Sequence, residues 1–474
     1  MKRISSLMLL PLASAVFAQE SPKKNLVVIM VDQWRGNAFG YTGKEAVKTP
    51  NLDKLARRSV NVRQCISGYP VSSPARAMFL TGAYPWSNGV PANCNSETAL
   101  HDVELSEELE TWSDILKSQN YATGYIGKWH LDKPFEPFID TYNNRGKIAW
   151  NEWCPPERRH GFDYWVAYGT YDYHTRPMYW VNPSDRDDWK YFDQWGPEFE
   201  ADRAIEFIQA NENRPFALMV SINPPHTGYE LVPEKYKDVY RDLDVDSVAA
   251  SRTNVTDEAA FFKRSLPDYY ACMTGVDEQV GRILDEIDER GLRENTVVMF
   301  TSDHGDMMGT HNHRGKNIFY EEAVHIPMFI AGAGLTPRTD ETLLMSLEDV
   351  CPTLLSMMGY GERIPATSQG VDLSRQIKGE SFANKTGQLY MRTWYCGEKE
   401  VNNARGWRDG RYTYATVLEN GAYTREVLFD RQSDPYQLNN IISKYPDIAG
   451  KMRNEMTDAL YEAGDPLFQE ENRP

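Results

Sequence analysis

Asn25-Leu26-Val27-Val28-Ile29-Met30-Val31 runs without a charge straight into Asp32-Gln33. Apolar residues here do not alternate with polar ones, so the strand they predict is covered on both faces. Such a strand belongs in the middle of a parallel sheet flanked by helices. Three more segments read the same way and also end in residues that carry chemistry. Residues 121–126 lead into Gly127-Lys128-Trp129-His130, Phe216–Ile222 into Asn223-Pro224-Pro225-His226, and residues 296–301 into Ser302-Asp303-His304. Residues 327–331 read as a further strand. Helical patterns fill the intervals at 110–119, 198–212, 267–290 and 347–358. Buried strands alternating with helices predict an α/β fold with a mostly parallel sheet sandwiched by helices.

The pattern changes near residue 376. Shorter, polar, Gly-punctuated strands follow at 389–394, 411–417 and 425–429, then a helix over Pro446–Glu462. This predicts a main unit over residues 22–376 and a C-terminal unit over 377–474, a small antiparallel sheet closed by a terminal helix. Residues 136–196 are rich in aromatics, Pro and Asp without a clear period, and read as irregular loops facing a substrate.

Residues 1–18 read as an export leader: Lys2 and Arg3, an apolar run to Phe17, and a small residue, Ala18, before Gln19. That run is too short to span a bilayer, no later segment is long enough, and no Cys follows it to anchor a lipid. The expected location is periplasmic or extracellular. The chain carries a formal net charge of -17, and losing Lys2 and Arg3 makes it more acidic. So acidic a surface excludes nonspecific nucleic-acid binding. An anionic substrate then needs a local cluster of cations set against that background. The 6 cysteines include no C-x-x-C pair, which argues against a zinc ribbon or a dithiol redox site.

Ligands of open α/β sheets bind beyond the carboxyl ends of the strands. One strand ending in Asp is an ordinary turn signal. Four strands delivering Asp32, Asp303-His304, Lys128 with His130, and His226 to one edge are a site. The segment Val71-Ser72-Ser73-Pro74-Ala75-Arg76-Ala77-Met78-Phe79-Leu80-Thr81-Gly82 adds a helix with Pro74 in its first turn and Gly82 at its end. Ser72 falls at its start, where free N–H groups and the dipole favour an anion; taken alone it reads as an N-cap hydroxyl.

This segment resembles the signature of the formylglycine-dependent sulfatases, C/S-x-P-S-R followed by L-T-G. Tyr121-Ala122-Thr123 with Gly127-Lys128-Trp129-His130-Leu131 resembles the family's second signature. Thr49-Pro50-Asn51-Leu52-Asp53-Lys54-Leu55-Ala56 and Ser302-Asp303-His304-Gly305-Asp306 stand in family order too, as does Tyr320-Glu321-Glu322. The resemblance implies an alkaline-phosphatase-like fold and hydrolysis of sulfate monoesters. It also implies a Ser72 oxidised to formylglycine, which as a hydrate is the nucleophile. Serine-type sites of the family imply an anaerobic radical maturase as partner. Two departures stand out: the usual Ser after Pro is Ala75, and the usual second Asp of the first metal pair is Gln33. His304 also stands where many sulfatases carry Asn.

By family position, Asp32, Gln33, Ser72, Asp303 and His304 surround a divalent metal. Carboxylates and an amide oxygen suit calcium; the imidazole and the missing charge at Gln33 leave manganese open. Arg76 holds the nucleophile, Lys128 and Lys316 the sulfate. His226 is the candidate acid for the leaving oxygen and His130 the candidate base. Asp172, His174 and Arg176, with Trp394 and Arg405 of the C-terminal unit, are candidate contacts to a sugar. The expected substrate is a sulfated saccharide cleaved from its end, of galactose or N-acetylgalactosamine type by family habit. Two other readings stay open: a phosphatase or phosphonate monoester hydrolase of the same superfamily, and a scaffold that binds sulfated glycans without turnover.

Overall fold

The computed structural model describes residues 23–468, apart from 253, 394, 397–398, 401–402 and 420–421. The proposed leader lies outside the described residues. The strands of the large sheet are β1 (Asn25–Val31), β2 (Ser59–Ile66), β3 (Ala122–Lys128), β4 (Tyr164–Tyr168) and β5 (Met178–Val181). They continue with β6 (Lys190–Tyr191), β7 (Phe216–Ile222), β8 (Thr296–Ser302), β9 (Met328–Ala331) and β10 (Arg338–Ser346). They pair in the order β10-β2-β9-β8-β1-β7-β3-β4-β5-β6. The four strands whose ends carry chemistry, β8, β1, β7 and β3, are thus neighbours at its centre, and all pair in parallel.

Burial explains their unbroken apolar sequences. Leu26, Val28 and Met30 feed one apolar core, while Val27, Ile29 and Val31 feed the other. Each side chain of β1 therefore leaves water whichever way it points, and alternation disappears. Register then does the positioning. Val31 stands opposite both Ser302 and Ile222, and Gly127 opposite Ser221, so the residues that follow arrive at one edge together.

The structure departs from the sequence reading in several places. β9 is antiparallel to β8 and β2, although its apolar run predicts nothing about direction. The long helix starts at Ala259 and passes through Pro267, because Phe262 and Leu266 extend its buried face upstream. The aromatic segment read as loop contains β4, β5 and β6, short strands at one border of the sheet. β2 and β10 also escaped the reading, since their runs are broken by Asn61, Arg63 and Gln64 or by Asp340 and Glu341.

After residue 376 come β11 (Gln388–Arg392), β12 (Tyr395–Cys396), β13 (Lys399–Glu400), β14 (Asn403–Arg408), β15 (Tyr412–Glu419) and β16 (Ala422–Asp430). β11, β14, β15 and β16 form a 4-stranded antiparallel sheet, crossed by the helix Pro446–Glu462. Met452, Met456 and Leu460 of that helix join Trp407, Tyr414 and Leu428 in the same apolar cluster as Leu343 and Leu354 of the main unit. The two sheets therefore share a core. Among the described residues Cys65, Cys94, Cys154, Cys272 and Cys351 are buried free thiols, and no helix is long and apolar enough to cross a membrane.

Candidate active site

Ser72 is the first residue of the helix Ser72–Thr81, whose 10 residues are all buried. It is not the N-cap; Val71 holds that place, with no side-chain cap. Its hydroxyl instead faces the strand ends, 3.2 Å from Asp32 Oδ2 and 3.1 Å from His304 Nε2. His304 Nδ1–H donates to the Gly305 carbonyl at 2.9 Å, which leaves Nε2 the bare nitrogen. Next door Ser73 ties the helix start to two loops, its Oγ donating to the His130 carbonyl at 2.7 Å and accepting from Cys94 N at 3.1 Å.

The cations converge on the same carboxylates. Lys128 Nζ donates to Asp32 Oδ2 at 2.7 Å and to Asn223 Oδ1 at 3.1 Å. Arg76 Nη2 lies 3.0 Å from Asp32 Oδ2 and 3.1 Å from Asp303 Oδ2, and its Nη1 donates to the Lys128 carbonyl and Ser221 Oγ. Burial pushes the Asp32 carboxyl up, but Lys128, with His226, His304 and Lys316, outweighs burial and holds it well below the usual range. Asp303 is raised, by burial and then by the Asp32 charge beside it. The groups are matched in charge yet poorly solvated, an arrangement costly unless every member is satisfied.

Two atoms are not. Asp32 Oδ1 has no hydrogen-bond partner, and Asp303 Oδ2 accepts no hydrogen bond although Arg76 is close. Together with His304 these carboxylates form a buried cluster whose ligand atoms all lie within 4.8 Å of one another. Two orphaned carboxylate oxygens, a bare imidazole nitrogen and the oxygen on Ser72 fit a divalent cation. Gln33 is placed differently from the reading of the sequence: its Oε1 accepts from Lys316 Nζ at 2.6 Å and its Nε2 donates to Asp306 Oδ2 at 2.5 Å. Asp306, which the sequence analysis gave no role, also accepts from Tyr229 and so fixes the Gln33 side chain.

His226 and His130 flank this floor in different states of engagement. Lys316 Nζ donates to His226 Nε2 at 2.9 Å, and His226 Nδ1 faces Asp172 Oδ1 at 3.0 Å. Burial, then the Lys316 and Lys128 charges, bring His226 down to about 4. His130 Nε2–H donates to the Cys94 carbonyl at 3.0 Å, while Nδ1 has no partner. Burial and the neighbouring Lys128 and Arg76 keep His130 neutral, with Nδ1 free to accept a proton.

The sugar contacts expected from the sequence need correction. Asp172 orients His226 and accepts from Asn223 Nδ2 and Asn143 Nδ2, so its carboxylate is spent inside the site. His174 is buried and braces the turn at His226 and Thr227 through their carbonyls. Arg176 is exposed, beside Asp193 and over the Tyr191 ring. Arg405 is fully buried against Asp465 and cannot close a pocket. Trp394 lies outside the described residues. Asn223, whose role the sequence did not disclose, links Lys128 to Asp172, and its place directly after β7 was the available signal.

A cavity of about 480 Å³ opens above Gln33 and Lys316, walled by Asn93, Glu97, Trp150 and Asn317. None of these four walls is carried by a strand of the sheet.

Comparison with known proteins places this constellation. The sulfatase family model matches residues 24–360, and the model of the N-sulphoglucosamine sulphohydrolase C-terminal region matches residues 309–462. An endo-4-O-sulfatase of Bacteroides thetaiotaomicron is 33% identical over 96% of this chain and 95% of its own length. An ulvan-active sulfatase of Formosa agariphila is 34% identical over 94% of this chain and 83% of its own. The crystal structure of the protein yidJ from Bacteroides fragilis superposes with a TM-score of 0.91, at 50% identity, over 95% of this chain and 98% of that one. The chain belongs to the sulfatase family and is a hydrolase of sulfate esters. Membership implies a divalent metal and a formylglycine, and the buried Asp32, Asp303 and His304 fit the first as Ser72 fits the second.

Proposed function

We propose that the protein removes sulfate from saccharides, acting at the end of a sulfated glycan, with Ser72 in its oxidised form as the nucleophile. The observation that carries this reading is the Ser72 hydroxyl held between Asp32 Oδ2 and His304 Nε2, with Lys128 and Arg76 on the same carboxylates. Sugar-sulfate relatives along nearly the whole chain support the substrate class.

Asp32, Asp303, His304 and the Ser72 oxygen would hold the metal, which would withdraw charge from the ester's oxygens. The two carboxylates favour calcium; His304 and a Gln33 amide already engaged by Lys316 favour manganese. Elemental analysis of protein from its own host decides between them. Lys128 and Lys316 neutralise the non-bridging oxygens, a contact that strengthens as charge moves onto them. The leaving oxygen takes its proton from the His226–Lys316 pair, whose nitrogens already share one at 2.9 Å. A bound sulfate opposes the lysine charges that keep His226 neutral, and so favours its protonated form. His130 Nδ1 is the base that would take the proton of the hydrate's second hydroxyl as the C–O bond to sulfate breaks, releasing sulfate and leaving the aldehyde; its other nitrogen is committed to Cys94.

The serine in place of cysteine calls for an oxygen-independent maturase. The leader over residues 1–18 supports export to the periplasm or beyond. Mass spectrometry of the peptide 64–76 from natively matured protein tests the nucleophile: the reading requires a loss of two hydrogens at Ser72. An unmodified serine in protein that cleaves aryl phosphate faster than aryl sulfate would falsify it in favour of phosphoryl transfer.

A further inference from the structure

The cavity above Gln33 and Lys316 lies over the lysine assigned to the sulfate, an assignment that rests on the saccharide sulfatase reading above. Its volume of about 480 Å³ falls in the range of small-molecule sites, roughly 300–1,000 Å³. Trp150 is half-buried in the wall, its ring 6.2 Å from the ring of His130, beside the reaction centre. Its backbone N–H is held by Asn144 Oδ1 at 2.8 Å, so the indole sits on an anchored segment.

Two polar atoms in the wall are buried and unsatisfied. Asn317 is 9% exposed and its Oδ1 has no partner; Thr393 is 2% exposed and its Oγ1 has none either. Buried polar atoms are rarely left unpaired unless a ligand or water completes them. Glu97, exposed at the rim, makes no ion pair with any described residue, while its backbone N–H is fixed by Asn95 Oδ1 at 2.8 Å. Among the described residues lining the cavity, Lys316 is the only cation, and it is already engaged by Gln33 and His226.

An aromatic face, an unsatisfied amide oxygen, a hydroxyl and a lone carboxylate suit a pyranose that offers hydroxyl donors and an apolar ring face. They do not suit a second negative charge. Such a charge meets Glu97 and Asn317 Oδ1 with no uncommitted counter-ion among the described residues lining the cavity, against a protein of net charge -17. We propose that this cavity is a subsite for a neutral sugar ring, one whose only anionic group is the ester being cleaved, and that Glu97 rejects sugars bearing a second sulfate or a carboxylate.

The test uses matured enzyme and kcat/KM on N-acetylhexosamine monosulfates at each ring position, a hexosamine disulfate, a sulfated uronate and 4-nitrophenyl sulfate. Wild type is expected to prefer its best monosulfate to the disulfate and uronate by about a hundredfold, a like-charge penalty of about 2.7 kcal/mol. Glu97→Lys should shrink that ratio at least tenfold, and Glu97→Gln by less. Trp150→Ala should raise KM for the monosulfate about tenfold, and Trp150→Phe should restore it. Equal rates on singly and doubly charged sugars, or a ratio unmoved by Glu97→Lys, overturns the subsite. So does turnover of the aryl ester with every monosulfate refused. Failure on all sulfate esters, the aryl ester included, sinks the sulfatase reading itself.

Discussion

The floor of the site and its wall are built on opposite plans. Asp32, Asp303, Lys128 and Asn223 follow directly on, or end, four adjacent parallel strands, and each of these side chains is tied to another buried group. Glu97, Trp150 and Asn317 come from three separate irregular segments, with side chains left uncommitted. Chemistry common to all sulfate esters is thus fixed by sheet register, which tolerates no slippage because one residue of shift reverses every side chain. In the subsite proposed above, recognition of the particular sugar would fall to loops that can change without moving the strands.

That division is broken or sharpened by graded losses. Ser72→Ala should abolish turnover, by about four orders of magnitude or more, while lowering stability by only about 1 kcal/mol for one lost hydroxyl. Single-turnover assays beside a denaturant titration check both. Chelation should cost at least about a hundredfold in activity and about 2–3 kcal/mol of stability relative to saturating ion. Recovery with manganese but not calcium, or the reverse, then identifies the donor preference of the floor.

Asp172→Ala comes next. Because Asp172 Oδ1 orients His226 rather than touching a sugar, sugar and aryl sulfates should slow alike, by about 10–100-fold. A loss confined to the sugar returns Asp172 to the wall. Arg405→Ala should change neither substrate preference nor KM, yet lower stability by about 3–5 kcal/mol by stranding buried Asp465. A melting curve unchanged from wild type contradicts that placement.

The same contrast governs what was legible in the sequence. Strands β1, β3, β7 and β8 announced themselves by apolar runs, and Asp32, Lys128, Asp303 and His304 could be placed from chain position alone. Ser72 was legible through its motif, although its hydroxyl turned out to face Asp32 and not the helix it starts. No period encodes where Trp150 or Glu97 comes to rest, because their positions depend on how loops of residues 93–98 and 136–155 settle on one another. Asp172 lay in the right loop, but its partner, His226, is 54 residues away and was invisible to local pattern. Arg405 misled for a different reason: it falls between the predicted strands 389–394 and 411–417, where a charge reads as exposed, whereas it lies within β14 and the return of the chain at Asp465 buries it.

The burial of Ser72 also sets an order of events. At 1% exposure, at the head of a helix with no exposed residue, the hydroxymethyl group is closed to any enzyme once the chain has folded. If Ser72 is matured as proposed above, its oxidation competes with folding and has to come first. A cell that makes the chain faster than it can oxidise it accumulates molecules that are folded, stable and permanently inert. The active fraction of a preparation is then a record of that race, fixed at synthesis and beyond repair by added metal or substrate.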